Sequence, residues 1–328
     1  MMAFNKWRRA LQVMAFLWAS HAAMAQDKAA LDYQLKARAL APGVYVVEGA
    51  NADFSPANGC NIINTGFIET DAGVLVINTG PSRLYGEQLL ALIGRTTPRP
   101  VAQVLHLNLH PDYFLGNQAF ANVPRRATAE TRAGIAREAS SYESNLYRLC
   151  GDWMKGTETV APDTTQLPGT WTLGNREFEL RAYRGHTDSD LVLIDRTSGV
   201  AFVGGLAFAD RIPTTPHANL PRWLESIGQL EADLGHLLPG SALHYVVPSH
   251  GPVRADTSAL RQTREYLTWL DQSFTQAAQS GQEMVDVLRT PVPTAYQNWA
   301  ALKTEFTRNV VHLYPRYEAL SLRAAAKP

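Results

Sequence analysis

The chain has little of several things, and each shortage removes a class of protein. Only two of its 328 residues are cysteine, Cys60 and Cys150, too few for a cysteine-based zinc cluster. Basic and acidic residues number 30 each, so there is no cationic excess and nucleic acid is not an expected partner. No apolar run reaches the roughly 20 residues a membrane-spanning helix needs. No short repeat of solenoid period is present. What remains is 45% apolar and 18% charged, the composition of a globular chain with a full core rather than a disordered one.

The first residues read as an address. Lys6, Arg8 and Arg9 precede an apolar run from about Ala10 to Ala19, and Ala23-Met24-Ala25 supplies small residues at the cleavage positions. This is the pattern of a secretory signal peptide over residues 1–25, with cleavage after Ala25; Arg8-Arg9 also permits a twin-arginine route. Its removal takes away those three basic residues and no acid, leaving 27 basic against 30 acidic and no membrane span in the mature chain. An exported chain meets oxidising conditions, so a Cys60–Cys150 disulfide is the natural reading, with two separate buried thiols, or Cys60 as a thiolate metal ligand, as the alternatives.

The chemistry-bearing stretch is His106-Leu107-Asn108-Leu109-His110-Pro111-Asp112-Tyr113. It reads as the end of a buried strand, Val101 to Leu109, running into a polar loop. Alternate strand residues share a face, so His106, Asn108 and His110 are expected to point one way and Leu105, Leu107 and Leu109 the other. An imidazole, an amide and a carboxylate at a strand end can converge on one borderline cation such as zinc.

Around it, Gly43–Gly49, Cys60–Glu69 and Gly73–Thr79 read as strands separated by turns, with Ala50–Gly59 a loop expected to overhang the site. Ser82 caps a helix from Arg83 to about Ile93. A long amphipathic helix, Thr131 to Met154, breaks near Cys150-Gly151. Pro162–Gly169 reads as a linker, and Trp171–Tyr183 as a hairpin about Gly174-Asn175. Leu191–Asp195, Val200–Val203 and His244–Pro248 read as strands, and Leu220–Leu234, Thr257–Ser280, Glu283–Leu288 and Trp299 to about Leu320 as helices. Two strand clusters, each followed by helices, point to two sheets packed face to face with helices outside. The expected division is residues 26–255 as the catalytic-type domain and residues 256–328 as a helical extension packed on it.

Three histidines end strands: His110, His186 in Gly185-His186-Thr187, and His250 in Pro248-Ser249-His250-Gly251. With these the sequence resembles the metallo-β-lactamase superfamily, whose first loop reads His-x-His-x-Asp-His; here those positions are Asn108, His110, Asp112 and Tyr113. Val74-Leu75-Val76-Ile77-Asn78-Thr79-Gly80 is similar to the family's Asp-Thr-Gly strand, with Asn78 for Asp. A closer likeness is to the periplasmic quinoprotein relay system zinc metallohydrolases found beside PQQ-dependent dehydrogenases, through Asn58-Gly59-Cys60-Asn61, the Asn108–Tyr113 loop and Leu149-Cys150-Gly151-Asp152-Trp153-Met154.

The resemblance implies an α/β (α+β) fold, a four-layer αββα sandwich, and a periplasmic zinc hydrolase acting on an ester, thioester, lactone or amide. It also implies where the chain departs. Asn108 replaces a ligand, Tyr113 another, and Gly205 stands where a bridging Asp or Cys would. The retained donors, His110, Asp112, His186 and His250, then suit one zinc ion rather than two, with Asp112 orienting a water and Tyr113 donating to an oxyanion. His106 is expected as a supporting or core residue. Asp188 and Asp190 read as solvated or capping residues, and His217, His236, His244 and His312 carry no motif. The other reading is a non-catalytic binding or accessory protein on the same scaffold, serving a small molecule or a quinoprotein component.

Overall fold

The computed structural model describes residues 31–325, nearly all of them within one compact unit, Tyr33–Pro328. The expected signal peptide, residues 1–25, lies outside the described residues. One sheet runs in the order β1 (Arg38–Ala41), β2 (Val44–Val47), β3 (Thr65–Thr70), β4 (Gly73–Ile77), β5 (Val101–Leu105), β6 (Arg125–Ala127) and β7 (Thr164–Thr165). It is antiparallel up to β4 and parallel from β4 onward. The second runs β12 (Tyr245–His250), β11 (Val200–Phe208), β10 (Asp190–Asp195), β9 (Arg176–Tyr183), β8 (Gly169–Leu173), with only the β11–β12 pair parallel.

The two sheets bury one face against each other. Val44, Ile68, Leu75 and Leu105 of the first meet Phe178, Leu193, Phe202 and Val247 of the second. Removing side chains of this size from water contributes about 1.5–3 kcal/mol each. Because the outer faces are covered as well, β4 and β11 are buried along their whole length. That accounts for their continuous apolar sequence.

Helices supply the outer layers. Helix α1 (Arg83–Thr96) starts where the Ser82 hydroxyl accepts from the backbone of Tyr85, and lays Leu89 and Ile93 on Val76 and Val104. After the short α2 (Pro111–Phe114) comes α3 (Ala129–Cys150). The second sheet is covered by α4 (Leu220–Leu237), α5 (Ser258–Gln279), the short α6 (Met284–Val287) and α7 (Leu302–Ala325). Trp223, Leu230, Leu267 and Val310 pack there on Val192, Ala201 and Phe208. This is the four-layer αββα arrangement. Among the described residues no helix is long and apolar enough to cross a membrane.

The structure corrects three boundaries. The strand expected over Cys60–Glu69 begins at Thr65, because Cys60 takes a left-handed backbone (φ 62°) that no strand accommodates. Cys60 instead closes a disulfide with Cys150, tying the Ala50–Gly59 loop to the end of α3. The Pro162–Gly169 linker contains β7, whose partner is the short β6. The strand expected over Val101–Leu109 stops at Leu105, which changes the site.

Candidate active site

The end of β5 is set by its neighbour. Asn78, just past β4, sits at φ 58°, a left-handed conformation that asparagine tolerates better than most residues. From there its backbone N–H donates to the Leu105 carbonyl and its side-chain oxygen accepts from Leu107 N at 3.1 Å. Asn78 thus anchors the loop after β5.

Beyond Leu105 the chain leaves the sheet, so strand alternation no longer governs His106, Asn108 and His110. His106 turns into the interior, its Nδ1 3.1 Å from the Tyr113 carbonyl, and burial lowers its pKa to about 4. Asn108 accepts from the His110 backbone at 3.0 Å, and its amide nitrogen approaches His186. Tyr113 does not line the open cleft: its ring is fully buried with the inter-sheet core, and its hydroxyl, without a hydrogen-bond partner, lies in the interior toward Asp112, Ser249 and Asn108.

His186 is held by its own loop. The buried Asp190 accepts from the Thr187 backbone at 2.8 Å and from the Thr187 hydroxyl at 3.0 Å, which places its Oδ1 3.1 Å from His186 Nδ1. A carboxylate there calls for a proton on Nδ1, so the 3.3 Å approach of the Asn108 amide nitrogen to the same atom is a packing contact. Asp190 is therefore a buried orienting residue, whereas Asp188 is exposed as expected. The loop needs Gly185, since a Cβ there would lie 2.2 Å from the Trp223 backbone nitrogen.

His250, the last residue of β12, is oriented in the same way: its Nδ1 lies 2.8 Å from the Ile62 carbonyl oxygen. Both rings therefore carry hydrogen on Nδ1 and leave Nε2 as an acceptor, the state in which imidazole ligates a metal. His186 Nε2 and Asp112 Oδ2 are buried without a hydrogen-bond partner. Burial holds His250 and His110 well below the ordinary histidine pKa, with the Arg211 guanidinium adding to the effect on His250 and the neighbouring His186 on His110. Burial also raises Asp112 to about 7.

These atoms decide what cation the residues fit. Asp112 Oδ2 and His250 Nε2 face each other at 3.6 Å, too long for a hydrogen bond, and two acceptors repel unless something positive lies between them. Two ligands on one tetrahedral ion, each about 2.1 Å from it, would stand about 3.4 Å apart. The pair thus fits a shared ion. A third protein ligand is missing: no group of three or more His, Cys, Asp or Glu side chains among the described residues is disposed to hold a metal. His110 Nε2 is occupied by His217 Nδ1 at 3.2 Å. A bridging ligand at position 205 has no room, as a Cβ on Gly205 would lie 1.9 Å from His186 Nδ1. The residues suit one ion on two side chains, and neither a paired-ion centre nor a three-ligand zinc.

The Asp112–His250 pair opens onto a cleft of about 360 Å³, in the range of small-molecule pockets. Phe54 enters from the Ala50–Gly59 loop, as expected. Tyr142 and Asn145 come from α3, and Arg308 and His312 from α7. His217 and His312, which carry no sequence motif, line it too. A signal for His217 was present in Thr215-Pro216-His217-Ala218-Asn219, a loop histidine between a proline and a helix cap. For Arg308 and His312 it was the one-turn spacing that puts both on one helix face. The fully buried Arg211 had no local signal: it donates to the Ala52 carbonyl at 3.1 Å and pairs with Glu305 at 3.4 Å.

No protein-family description matches the chain, and no curated protein does. Solved structures do. A metallo-β-lactamase from Pontibacter korlensis superposes with a TM-score of 0.57 at 23% identity, covering 72% of this chain and 99% of its own. The mono-zinc form of the metallo-β-lactamase FIM-1 from Pseudomonas aeruginosa gives 0.55 at 15% identity, covering 72% of this chain and 95% of its own. A metallo-β-lactamase from Hirschia baltica gives 0.54 at 18%, covering 71% and 97%. At these identities the likeness is one of fold.

Proposed function

We propose, from the metallo-β-lactamase fold of this chain, that it is a hydrolase of small acyl compounds of the ester, thioester, lactone or amide type, working with a single, loosely held zinc ion. The observation that carries this is the Asp112–His250 pair, a carboxylate oxygen and an imidazole Nε2 facing each other at 3.6 Å on the wall of an open cleft. Such an ion would lower the pKa of bound water toward about 7 and polarise a carbonyl. The chain's own residues do the rest. Ile62 and Asp190 hold the His250 and His186 rings in one tautomer. Asp112, whose buried Oδ2 has no hydrogen-bond partner, would hold the ion with His250 and orient the water bound to it. Phe54 and Leu149 give the cleft an apolar wall beside the pair. The N-terminal address and the quinoprotein-relay likeness of the sequence support a periplasmic setting for this activity, beside a PQQ-dependent dehydrogenase.

A second reading is favoured by the missing third ligand and the closed position 205. In it the cleft binds a small molecule or a quinoprotein component without hydrolysing it. Zinc titration by calorimetry, followed by a panel of acyl esters and lactones with zinc present, separates the two. The hydrolase reading expects about one zinc per chain, lost in Asp112→Ala and in His250→Ala, with turnover following occupancy. A folded wild type that takes up no zinc and hydrolyses none of the panel leaves the binding protein.

A further inference from the structure

Beside the cleft lies a second cavity of about 390 Å³, bounded by the start of α4, the C-terminal half of α5 and the C-terminal half of α7. Its lining is largely apolar, with Leu220, Leu313 and Leu320 prominent, and Leu320 is 54% exposed. Two separate stretches of chain run from the cleft into this groove. On one side Pro216 and His217 line the cleft, and the next residues, Ala218, Leu220 and Pro221, line the groove. On the other, Arg308 and His312 of α7 face the cleft, and His312, Arg316, Leu320 and Ala324 face the groove. Those α7 positions are four apart and form one row along the helix. His312 belongs to both cavities, and its Nδ1 lies 3.4 Å from the buried Thr215 hydroxyl.

A polar end with acceptors, bordered at His312 by a trough of similar size whose lining mixes a mostly apolar surface with Asp271, Gln279 and Arg316, matches an amphipathic ligand. We propose that the groove takes the aliphatic tail of the substrate, so that the molecules this site accepts are long-chain acyl esters or lactones, with the carbonyl at Asp112 and His250 and the chain lying past His312 along α7. The substrate class rests on the hydrolase reading; the chain-binding groove does not. His312 sets the passage between the two halves, and Leu320 and Ala324 set the far floor.

The test uses the full chain and two surface variants that leave the cleft untouched, Leu320→Glu and Ala324→Trp, with His312→Ala as a third. Displacement of a fluorescent undecanoic acid by dodecanoate reads binding alone. Hydrolysis of nitrophenyl butyrate and nitrophenyl dodecanoate, with zinc present, reads turnover. The wild type is expected to bind dodecanoate and to show a KM at least about tenfold lower for the dodecanoyl than for the butyryl ester. Both surface variants should lose that difference while keeping butyryl turnover, and His312→Ala should keep dodecanoate binding. Dodecanoate binding that Leu320→Glu abolishes, with no ester hydrolysed, upholds the groove and removes the hydrolase. Butyryl turnover without any chain-length preference, or no binding of dodecanoate, overturns the groove proposal. So does a wild-type dimer that Leu320→Glu dissociates, which would assign the groove to a second copy of the chain.

Discussion

His217 meets His110 across the cleft, Nδ1 to Nε2, at 3.2 Å. Burial lowers the pKa of both rings, so the contact is between neutral imidazoles, one donating to the other. The nitrogen that would otherwise point at an ion beside Asp112 is thereby engaged by a residue from the loop before α4.

Removing the partner should release the ligand. His217→Ala is expected to fold normally, since the side chain is only half-buried, and to bind zinc about tenfold more tightly than the wild type. Calorimetric titration of apo-protein measures it. Unchanged or weaker binding would show that His217 does not compete with the ion.

Position 205 should not accept an acidic side chain that could bridge two ions. In Gly205→Asp the new Cβ would start 1.9 Å from His186 Nδ1 and 2.8 Å from Asn108 Nδ2. An overpacked site of this kind costs about 1–3 kcal/mol. Urea denaturation should show a lower midpoint with an unchanged slope. A variant as stable as the wild type that also binds a second zinc would contradict the packing described.

The titration of Asp112 gives a stability signature with a definite sign. Its folded pKa of about 7 lies above an unfolded value of about 3.9. The neutral carboxyl therefore contributes stability that is fully present below about pH 3.9 and is lost as pH rises through about 7. The buried His110 and His250 act oppositely: their lowered pKa values give stability that is present above about 6.5 and lost as pH falls. Asp112→Asn isolates the first effect. Measured with chelator present, its stability relative to wild type should climb between about pH 4 and 7 and level off above about 8. A flat difference across that range would mean that Asp112 is ionised throughout.

Arg211 and Glu305 form a fully buried ion pair that joins the end of β11 to α7 and, through the Ala52 carbonyl, to the loop over the cleft. Burial raises the pKa of Glu305, and its Oε2 has no hydrogen-bond partner. Glu305→Ala strands the arginine and should cost about 3–5 kcal/mol. The double variant Arg211→Met, Glu305→Leu should recover most of that loss. A double-mutant cycle by chemical denaturation gives the answer, and simple additivity of the two single changes would rule out the coupling.

Much of the architecture was legible because it is written in local pattern. The apolar runs Val74–Ile77 and Leu191–Ile194 are strands buried on both faces, the Gly174-Asn175 turn closes its hairpin, and Ser82 caps its helix where the residue types require. The fit fails at chain positions whose conformation depends on a distant neighbour. Leu107 leaves its strand because Asn78, 29 residues earlier, takes its N–H. Cys60 leaves its strand in a left-handed turn closed on Cys150.

The site divides the same way. His110, Asp112, His186 and His250 could be singled out because each follows or ends a strand-like run beside Pro, Gly or Asp, where side chains of that kind collect around a cleft. That Asp112 faces His250 at 3.6 Å, that His217 rather than an ion engages His110, that Tyr113 turns into the core and that His312 stands between cleft and groove were decided only by the tertiary structure. By itself the sequence determined which side chains were available and at which ends of which strands, since these follow from periodicity and turn chemistry over a few residues. Which of them share an atom's surroundings depends on the packing of two sheets and five long helices, and contacts across separations of 100 residues and more leave no trace in local pattern.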